Sequence, residues 1–325
     1  MKSNVSPVSK APAISSTTAA LLSVLFTIIY VLPFYLSPAT RPSRRLTRDA
    51  PSSIRARVRS VTFSSAICFC LTIYVLHQYG NASPKEILRL LGFWPISLFD
   101  TARTVLLVAI LFAGPLFEYG IVEGCWKRWI RGREAYEILS SWIGYRNFVV
   151  GPVSEELIWR SLVIPLHVLA HFSEKQIVFL TPLYFGIAHV HHLYEFRLTH
   201  PRVPVSVAIF RSLFQFTYTS LFGFFAAFVF LRTGNVLSVT LVHALCNSLG
   251  LPRFWGRVGV EAGEPIGPPD TGKNYEDGGF YDTSKGVMWT VAYYIILIAG
   301  AIGFYLQLFS LTESSHALPV VLVKA

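Results

Sequence analysis

The sequence predicts an all-α, polytopic membrane protein with about eight transmembrane helices. Of its 325 residues, 53% are hydrophobic and only 14% are charged, whereas a soluble protein of this length is about 25% charged. The apolar residues also gather into runs of roughly 17 residues or more, which is typical of helices that cross a bilayer. We therefore treat residues 1–325 as a single membrane-embedded domain.

Eight apolar segments follow one another along the chain, and no internal repeat is visible. They cover residues 17–37, 60–79, 102–122, 147–170, 175–195, 205–231, 235–251 and 287–311. The first segment is long enough to span a bilayer and precedes a basic stretch, so we expect a retained helix and not a cleaved signal peptide. Residues 252–286 are rich in glycine and proline and predict a loop before the last span.

Basic residues in the loops predict the orientation. Residues 38–59 contain seven arginines and one acid, Asp49, which favours the cytosolic side because positively charged loops remain there. Alternation then places the loops 123–146 and 252–286 in the cytosol and the N-terminus in the lumen. The sequon at Asn81 would be lumenal, where it could carry a glycan.

The sequence argues against nucleic acid binding, nucleotide binding and a disulfide framework. The net charge of +10 resides mainly in loops beside apolar runs, so topology explains it better than nucleic acid binding does. Residues 267–274 have phosphate-loop spacing up to the lysine, but Asn274 replaces the required Ser or Thr and two prolines remove N–H donors, which argues against a nucleotide. No CxxC pair occurs, so we expect no disulfide framework.

Polar side chains interrupt three of the predicted spans. They are Glu155, Glu156 and Arg160 in the fourth span, His189, His191 and His192 in the fifth, and His243 and Asn247 in the seventh. A charged side chain near the bilayer centre costs at least about 2.5–3.5 kcal/mol. Glu156 and Arg160 stand four residues apart in the order that favours an ion pair, and Glu155 points about 100° away.

On the predicted topology these groups lie at one depth. At 1.5 Å per helical residue, Glu155 would lie roughly 12 Å inside the cytosolic surface, His189 about 10 Å and His243 about 12–15 Å. Polar groups in membrane helices often serve packing alone, at about 0.6 kcal/mol each. Three groups at one level favour a functional site instead.

The chemistry available at that level is hydrolysis. Glu155 and His189 could bind a water molecule and remove its proton. His243 and Asn247 share a helix face at i and i+4, and both could donate hydrogen bonds to the oxyanion formed when water attacks a carbonyl.

Other uses of these residues stay open. A thiol nucleophile could use Cys246 beside His243, although an apolar span disfavours the reactive thiolate. A metal could be held by His189, His192 and His243, but the HExxH pattern of zinc proteases is absent, and we expect no metal and no cofactor. The polar groups could also serve binding or packing in a membrane scaffold or transporter without catalysis.

Three short motifs resemble those of the CAAX-processing protease superfamily. "EELIWR" (155–160) resembles its EExxxR motif, "FGIAH" (185–189) its FxxxH motif and "HALCN" (243–247) its HxxxN motif. Their order and spacing match across residues 147–250, so we expect this part to be the catalytic core. "RNFVVGPVSEEL" and "AHVHH" are similar to the eukaryotic type II CAAX prenyl endopeptidases within the superfamily.

The resemblance implies a glutamate-dependent intramembrane protease whose helices surround a catalytic cavity and which releases the last three residues of prenylated CAAX proteins. It assigns water activation to Glu155 and His189, oxyanion stabilisation to His243 and Asn247, and supporting positions to Glu156, Arg160, Phe185 and His192. A protease of the superfamily that acts on unprenylated substrates is the alternative.

The resemblance also implies partners and a location. The partners would be prenylated proteins such as small GTPases, together with the lipid bilayer, and not nucleic acids or nucleotides. The location would be the endoplasmic reticulum membrane, with the site opening to the cytosolic side. A prenyl chain inserted in the cytosolic leaflet would bring its attached peptide to the predicted depth of the polar groups.

Overall fold

The structure, a computed structural model, describes residues 11–43, 46–259 and 286–319, and within these ranges it contains no β-strand. The α-helices are α1 (Ser16–Val31), α2 (Pro33–Leu36), α3 (Pro51–Gln78), α4 (Pro84–Leu90), α5 (Leu98–Leu111), α6 (Ala113–Phe117), α7 (Trp126–Ile130), α8 (Arg133–Ser140), α9 (Trp142–Tyr145), α10 (Gly151–Glu156), α11 (Val163–Leu169), α12 (Glu174–Ala188), α13 (His192–Thr199), α14 (Val205–Thr233), α15 (Val236–Leu249) and α16 (Val287–Leu311). Three π-helical segments extend this set: Glu118–Val122, Arg146–Val150 and Leu157–Leu162.

Four of the described helices are long and apolar enough to cross a membrane. They are Ser16–Leu36, Pro51–Gln78, Val205–Thr233 and Val287–Leu311. Each overlaps a predicted span, and together they confirm an all-α, multi-pass membrane protein. A fifth span results if the bent pair formed by α5 and the segment after it is counted as one.

The third predicted span, 102–122, is not a single straight helix. α5 ends at Leu111, and Ala113–Val122 continues at 80° to it. Pro115 contributes to the break because a proline ring clashes with the preceding helical turn and has no N–H to donate. Gly114 allows a close approach, since a Cβ there would lie 3.0 Å from the Cβ of Leu297 on α16.

Two further spans are shorter than predicted. The fifth, 175–195, is divided: α12 ends at Ala188, and α13 begins at His192. The seventh has 14 residues in α15, or about 21 Å of helix, which is less than the ~30 Å hydrocarbon core. The common depth inferred for His189 and His243 assumed continuous spans, so it does not follow from the observed helices.

The loops also differ from their predictions. α3 begins at Pro51, so Arg55, Arg57 and Arg59 lie on a helix and not in the loop preceding it. The predicted loop 123–146 contains α7, α8 and α9. Of the predicted loop 252–286, residues 260–285, including the phosphate-loop-like stretch, lie outside the described residues.

The fourth predicted span, 147–170, lies within the largest hydrophobic cluster. Trp159 is buried and packs edge-on against Tyr30 of α1 and Phe185 of α12, with ring centroids 4.9 and 5.1 Å away. The hydroxyl of Tyr30 hydrogen-bonds Ser154 at 2.9 Å. The π-helical segment Leu157–Leu162 directly follows Glu155 and Glu156, and such segments are frequent at functional sites.

Candidate active site

Glu156 and Arg160 form a buried ion pair, as their spacing predicts. Arg160 Nε lies 3.1 Å from Glu156 Oε2, and Nη1 donates to Oε1 at 3.2 Å. The Arg160 guanidinium also lies over the rings of Phe185 and Phe222, at 4.8 and 5.6 Å. Both charges are removed from water, so each depends on the other for compensation.

His243 joins this pair from α15. Its Nδ1 lies 2.7 Å from Glu156 Oε1, and its Nε2 lies 3.8 Å from Glu155 Oε2. A carboxylate accepts hydrogen bonds and cannot donate them, so Nδ1 carries a proton and Nε2 faces Glu155. The result is a chain of contacts from Arg160 through Glu156 and His243 to Glu155, which we call the charged chain.

Glu155 is the accessible carboxylate of the two. Its side chain is 20% exposed, whereas that of Glu156 is 0% exposed. The 3.8 Å separation from His243 exceeds hydrogen-bond length, so a single oxygen atom could contact both groups. Glu155 is therefore the member of the charged chain that water or substrate can reach.

His189 caps the C-terminal end of α12. Its Nδ1 lies 2.8 Å from the carbonyl oxygen of Phe185, so Nδ1 is the protonated nitrogen and Nε2 of the neutral ring is an acceptor. Its ring packs 4.6 Å from that of Phe185 and 5.9 Å from that of His192. Within the described part of the chain, His189 makes no direct hydrogen bond with Glu155.

Asn247 lies one turn after His243 but has a different partner. Its side chain is exposed, and Nδ2 donates to the backbone carbonyl of Asn147 at 3.1 Å. His243 and Asn247 therefore contact different protein atoms in the structure. The Asn247 amide has a second N–H besides the one that binds Asn147.

A second polar cluster adjoins the histidines, and sequence reasoning missed it. Glu195 is buried, accepts from Arg57 Nη2 at 2.8 Å, and lies 2.9 Å from His192 Nδ1. Arg48 Nη1 lies 3.9 Å from the same carboxylate. We call Arg48, Arg57, His192 and Glu195 the Glu195 cluster. Glu195 lies at the end of the predicted apolar span 175–195, and an acidic residue at that position could have indicated the cluster. Its arginine partners could not be predicted because they are distant in sequence.

The potential metal ligands do not group as the sequence suggested. Among the residues that the structure describes, the possible ligand atoms of His191, His192 and Glu195 lie within 4.8 Å of one another. This trio differs from His189, His192 and His243. Because Glu195 already binds Arg57, an ion-pair network explains the proximity of these three residues as well as a metal site would.

Comparison with known proteins identifies the family. Residues 137–249 match a family model described as Rce1-like, type II CAAX prenyl endopeptidase. The probable CAAX prenyl protease 2 of Schizosaccharomyces pombe is 36% identical over 239 residues, which cover 74% of this chain and 83% of that protein. The chain belongs to the type II CAAX prenyl endopeptidase family.

Other members of the endopeptidase family show the same similarity. The CAAX prenyl protease 2 of Homo sapiens is 32% identical over 213 residues, or 64% of each chain. That of Arabidopsis thaliana is 41% identical over 108 residues, which cover 33% of this chain and 34% of that protein. No solved structure matches the chain. The family match contains the whole charged chain, together with His189 and Asn247.

Proposed function

We propose that this member of the type II CAAX prenyl endopeptidase family is an intramembrane protease that removes the last three residues of prenylated CAAX proteins. The observation that carries the proposal is the buried charged chain inside the range that matches the family. The names of the relatives, CAAX prenyl protease 2, support the substrate class. Small GTPases are the proposed substrates, reached from the cytosolic side of the endoplasmic reticulum membrane.

The charges of the site support acid–base chemistry. Glu155, Glu156 and Arg160 together carry one net negative charge when all are ionised. A largely buried site favours neutrality because isolated charges are poorly solvated there. One proton held by either Glu155 or His243 makes the charged chain neutral, so a proton can be exchanged between these two residues without leaving a net buried charge.

The proposed reaction begins with a water molecule between Glu155 and His189. Glu155 takes one proton from the water while His189 Nε2 accepts a hydrogen bond from it, and the water oxygen attacks the carbonyl of the prenylated cysteine. At the start of this step His243 holds the extra proton and Glu155 is ionised, so both ring nitrogens of His243 carry hydrogen. His243 Nε2–H and the second N–H of Asn247 would stabilise the oxyanion. Glu155 then gives its proton to the leaving nitrogen, and the C–N bond breaks to release a tripeptide.

The test is hydrolysis of a farnesylated CAAX peptide by the purified protein. Because general base catalysis contributes about 10²–10⁴-fold, Glu155→Gln should lower the rate of tripeptide release by at least about 100-fold. Glu174→Gln, at an exposed acid in the first turn of α12, is the matched control and should retain wild-type activity. Substantial activity of folded Glu155→Gln would contradict the proposal.

The same assay separates the alternatives. A protease for unprenylated substrates would cleave prenylated and unprenylated forms of one peptide equally well. A non-catalytic scaffold or transporter would cleave neither, and Glu155→Gln would then change only binding or stability.

A further inference from the structure

The two arginines of the Glu195 cluster are held in very different ways. Arg57 donates to Glu195 at 2.8 Å and, through Nε, to the carbonyl of Thr40 at 2.9 Å, and its guanidinium lies 5.5 Å from the ring centre of Phe34. Its Nε and Nη2 donors are therefore both used within the fold. Arg57 fixes the carboxylate of Glu195 rather than offering itself to another molecule.

Arg48, in contrast, is only loosely held by carboxylates of the fold. Its two nearest carboxylate contacts are long, 3.9 Å from Nη1 to Glu195 and 4.0 Å from Nε to Asp49. Among the described residues, Nε has no hydrogen-bond partner although it is buried. A buried donor of a charged group ordinarily has a partner. Arg48 thus presents a guanidinium with at least one buried donor that the described residues leave without a hydrogen-bond partner.

The Glu195 cluster lies beside the candidate active site. His192, which contacts Glu195 at 2.9 Å, has its ring 5.9 Å from that of His189. Arg48 is therefore linked through Glu195 and His192 to His189, which the proposed reaction places on the same water molecule as Glu155.

Chain length and charge make the C-terminus of a substrate a suitable partner for Arg48. Three extended residues reach about 10 Å, so a tripeptide whose first nitrogen lies at Glu155 places its terminal carboxylate roughly that far away. Three arginines (Arg48, Arg57 and Arg146) share the two carboxylates of Glu195 and Asp49, which leaves one positive charge in excess. The planar guanidinium fork also matches the geometry of a carboxylate.

We propose that Arg48 binds the C-terminal carboxylate of the substrate, and that Glu195, held by Arg57, orients the Arg48 side chain. The proposal rests on the proposed function and adds to it how the enzyme recognises the end of its substrate. A bound carboxylate would neutralise the excess charge of the Glu195 cluster and would place the departing tripeptide beside the basic segment that precedes α3.

The experiment compares two farnesylated peptides that differ only at the C-terminus, one with a free carboxylate and one with a carboxamide. The purified full-length protein is assayed as wild type, Arg48→Gln and Arg59→Gln. The last variant is the control, because Arg59 is an exposed arginine on α3 and its loss removes the same charge from the same part of the chain.

Wild type should prefer the carboxylate peptide by about tenfold or more in kcat/KM, since hydrogen bonds to a charged group are worth that much. Arg48→Gln should lose this preference because its kcat/KM for the carboxylate peptide falls. Its kcat/KM for the carboxamide peptide should stay at the wild-type value. Arg59→Gln should keep the preference. Arg48→Lys should recover only part of it, because lysine lacks the guanidinium fork.

Three outcomes would overturn the inference while leaving the proposed function intact. They are equal cleavage of both peptides by wild type, an unchanged preference in Arg48→Gln, and an equal loss with both peptides in Arg48→Gln. The last would indicate a contact with lipid headgroups or with the fold. Failure of folded wild type to cleave either peptide would instead contradict the proposed function.

Discussion

Glu155 and Glu156 are neighbours in the chain, yet their side chains occupy different environments. Glu156 is fully buried between Arg160 and His243, whereas Glu155 is partly exposed. Adjacent helical residues point about 100° apart, which allows one carboxylate to enter the core while the other faces the accessible side. This difference at the scale of single residues supports the proposed structural role of Glu156 and the proposed chemical role of Glu155.

We predict that Glu156→Gln destabilises the protein much more than Glu155→Gln does. Removing one partner of a buried ion pair typically costs about 3–5 kcal/mol because the remaining charge is uncompensated. Glu156→Gln leaves the Arg160 guanidinium in that state, whereas Glu155→Gln changes a group with no hydrogen-bonded partner among the described residues. Thermal unfolding in detergent measures the difference, and equal midpoints for the two variants would contradict the prediction.

His243 provides a second prediction at this scale. If its Nε2–H stabilises the oxyanion, His243→Ala should lower kcat by about 10²–10³-fold, with a much smaller effect on KM, because the interaction arises mainly in the transition state. Steady-state kinetics on the farnesylated peptide, at matched amounts of folded protein, provides the measurement. A variant altered chiefly in KM would indicate that His243 binds substrate instead.

Among the helices, α12 and α14 approach each other closely beside the charged chain. A Cβ at Gly223 of α14 would lie 2.6 Å from the Cβ of Pro182 on α12 and 3.4 Å from Arg160 Nη2. A Cβ at Gly186 of α12 would lie 2.4 Å from Ser220 Oγ. These contacts show that glycine at both positions allows the helix carrying Phe185 and His189 to lie against its neighbour.

Gly223→Ala should therefore reduce both stability and activity. The added methyl group must displace Pro182, and overpacking of this kind typically costs about 1–3 kcal/mol. Gly286→Ala is the control, since a Cβ at Gly286 would meet no described residue within 4 Å. Thermal unfolding and peptide hydrolysis are measured on both variants, and a Gly223→Ala protein with wild-type behaviour would show that the α12–α14 contact can adapt.

At the scale of the whole molecule, the candidate site draws on four separated parts of the chain. The charged chain joins α10 and the π-helical segment after it to α15, and the Glu195 cluster joins α13 to the region around the start of α3. The proposed function requires this assembly to face the cytosol, where prenylated proteins reach the bilayer. Orientation is therefore the property of the whole molecule to test.

Single cysteines can report that orientation in sealed microsomes. In a background with the four native cysteines replaced by serine, Arg131→Cys between α7 and α8 should react with a membrane-impermeant maleimide in intact vesicles. Lys85→Cys in α4 should react only after the vesicles are permeabilised, because the positive-inside rule places it in the lumen. Both native side chains are exposed. The reverse pattern would invert the predicted topology.

Much of the site could be predicted from the sequence because its residue types are unusual in apolar helices. The Glu156–Arg160 pair follows from helical periodicity alone, and the membrane class follows from apolar runs. The partner of His243 could not be predicted, because spacing on α15 says nothing about which side chain of another helix it meets. The end of α12 was also missed, since Val190 and Leu193 follow it at positions that extend the apolar segment past the histidines.

By itself, the sequence determined that this protein is an all-α membrane protein, and its motifs indicated the family that the comparisons establish. Those properties reside in composition and local order, which are readable along one chain. Only the tertiary structure decided that Glu156 is enclosed, that Glu155 remains accessible, and that Arg48 lies near Glu195. Burial and charge pairing depend on contacts between residues far apart in sequence, so they exist only once the helices have packed.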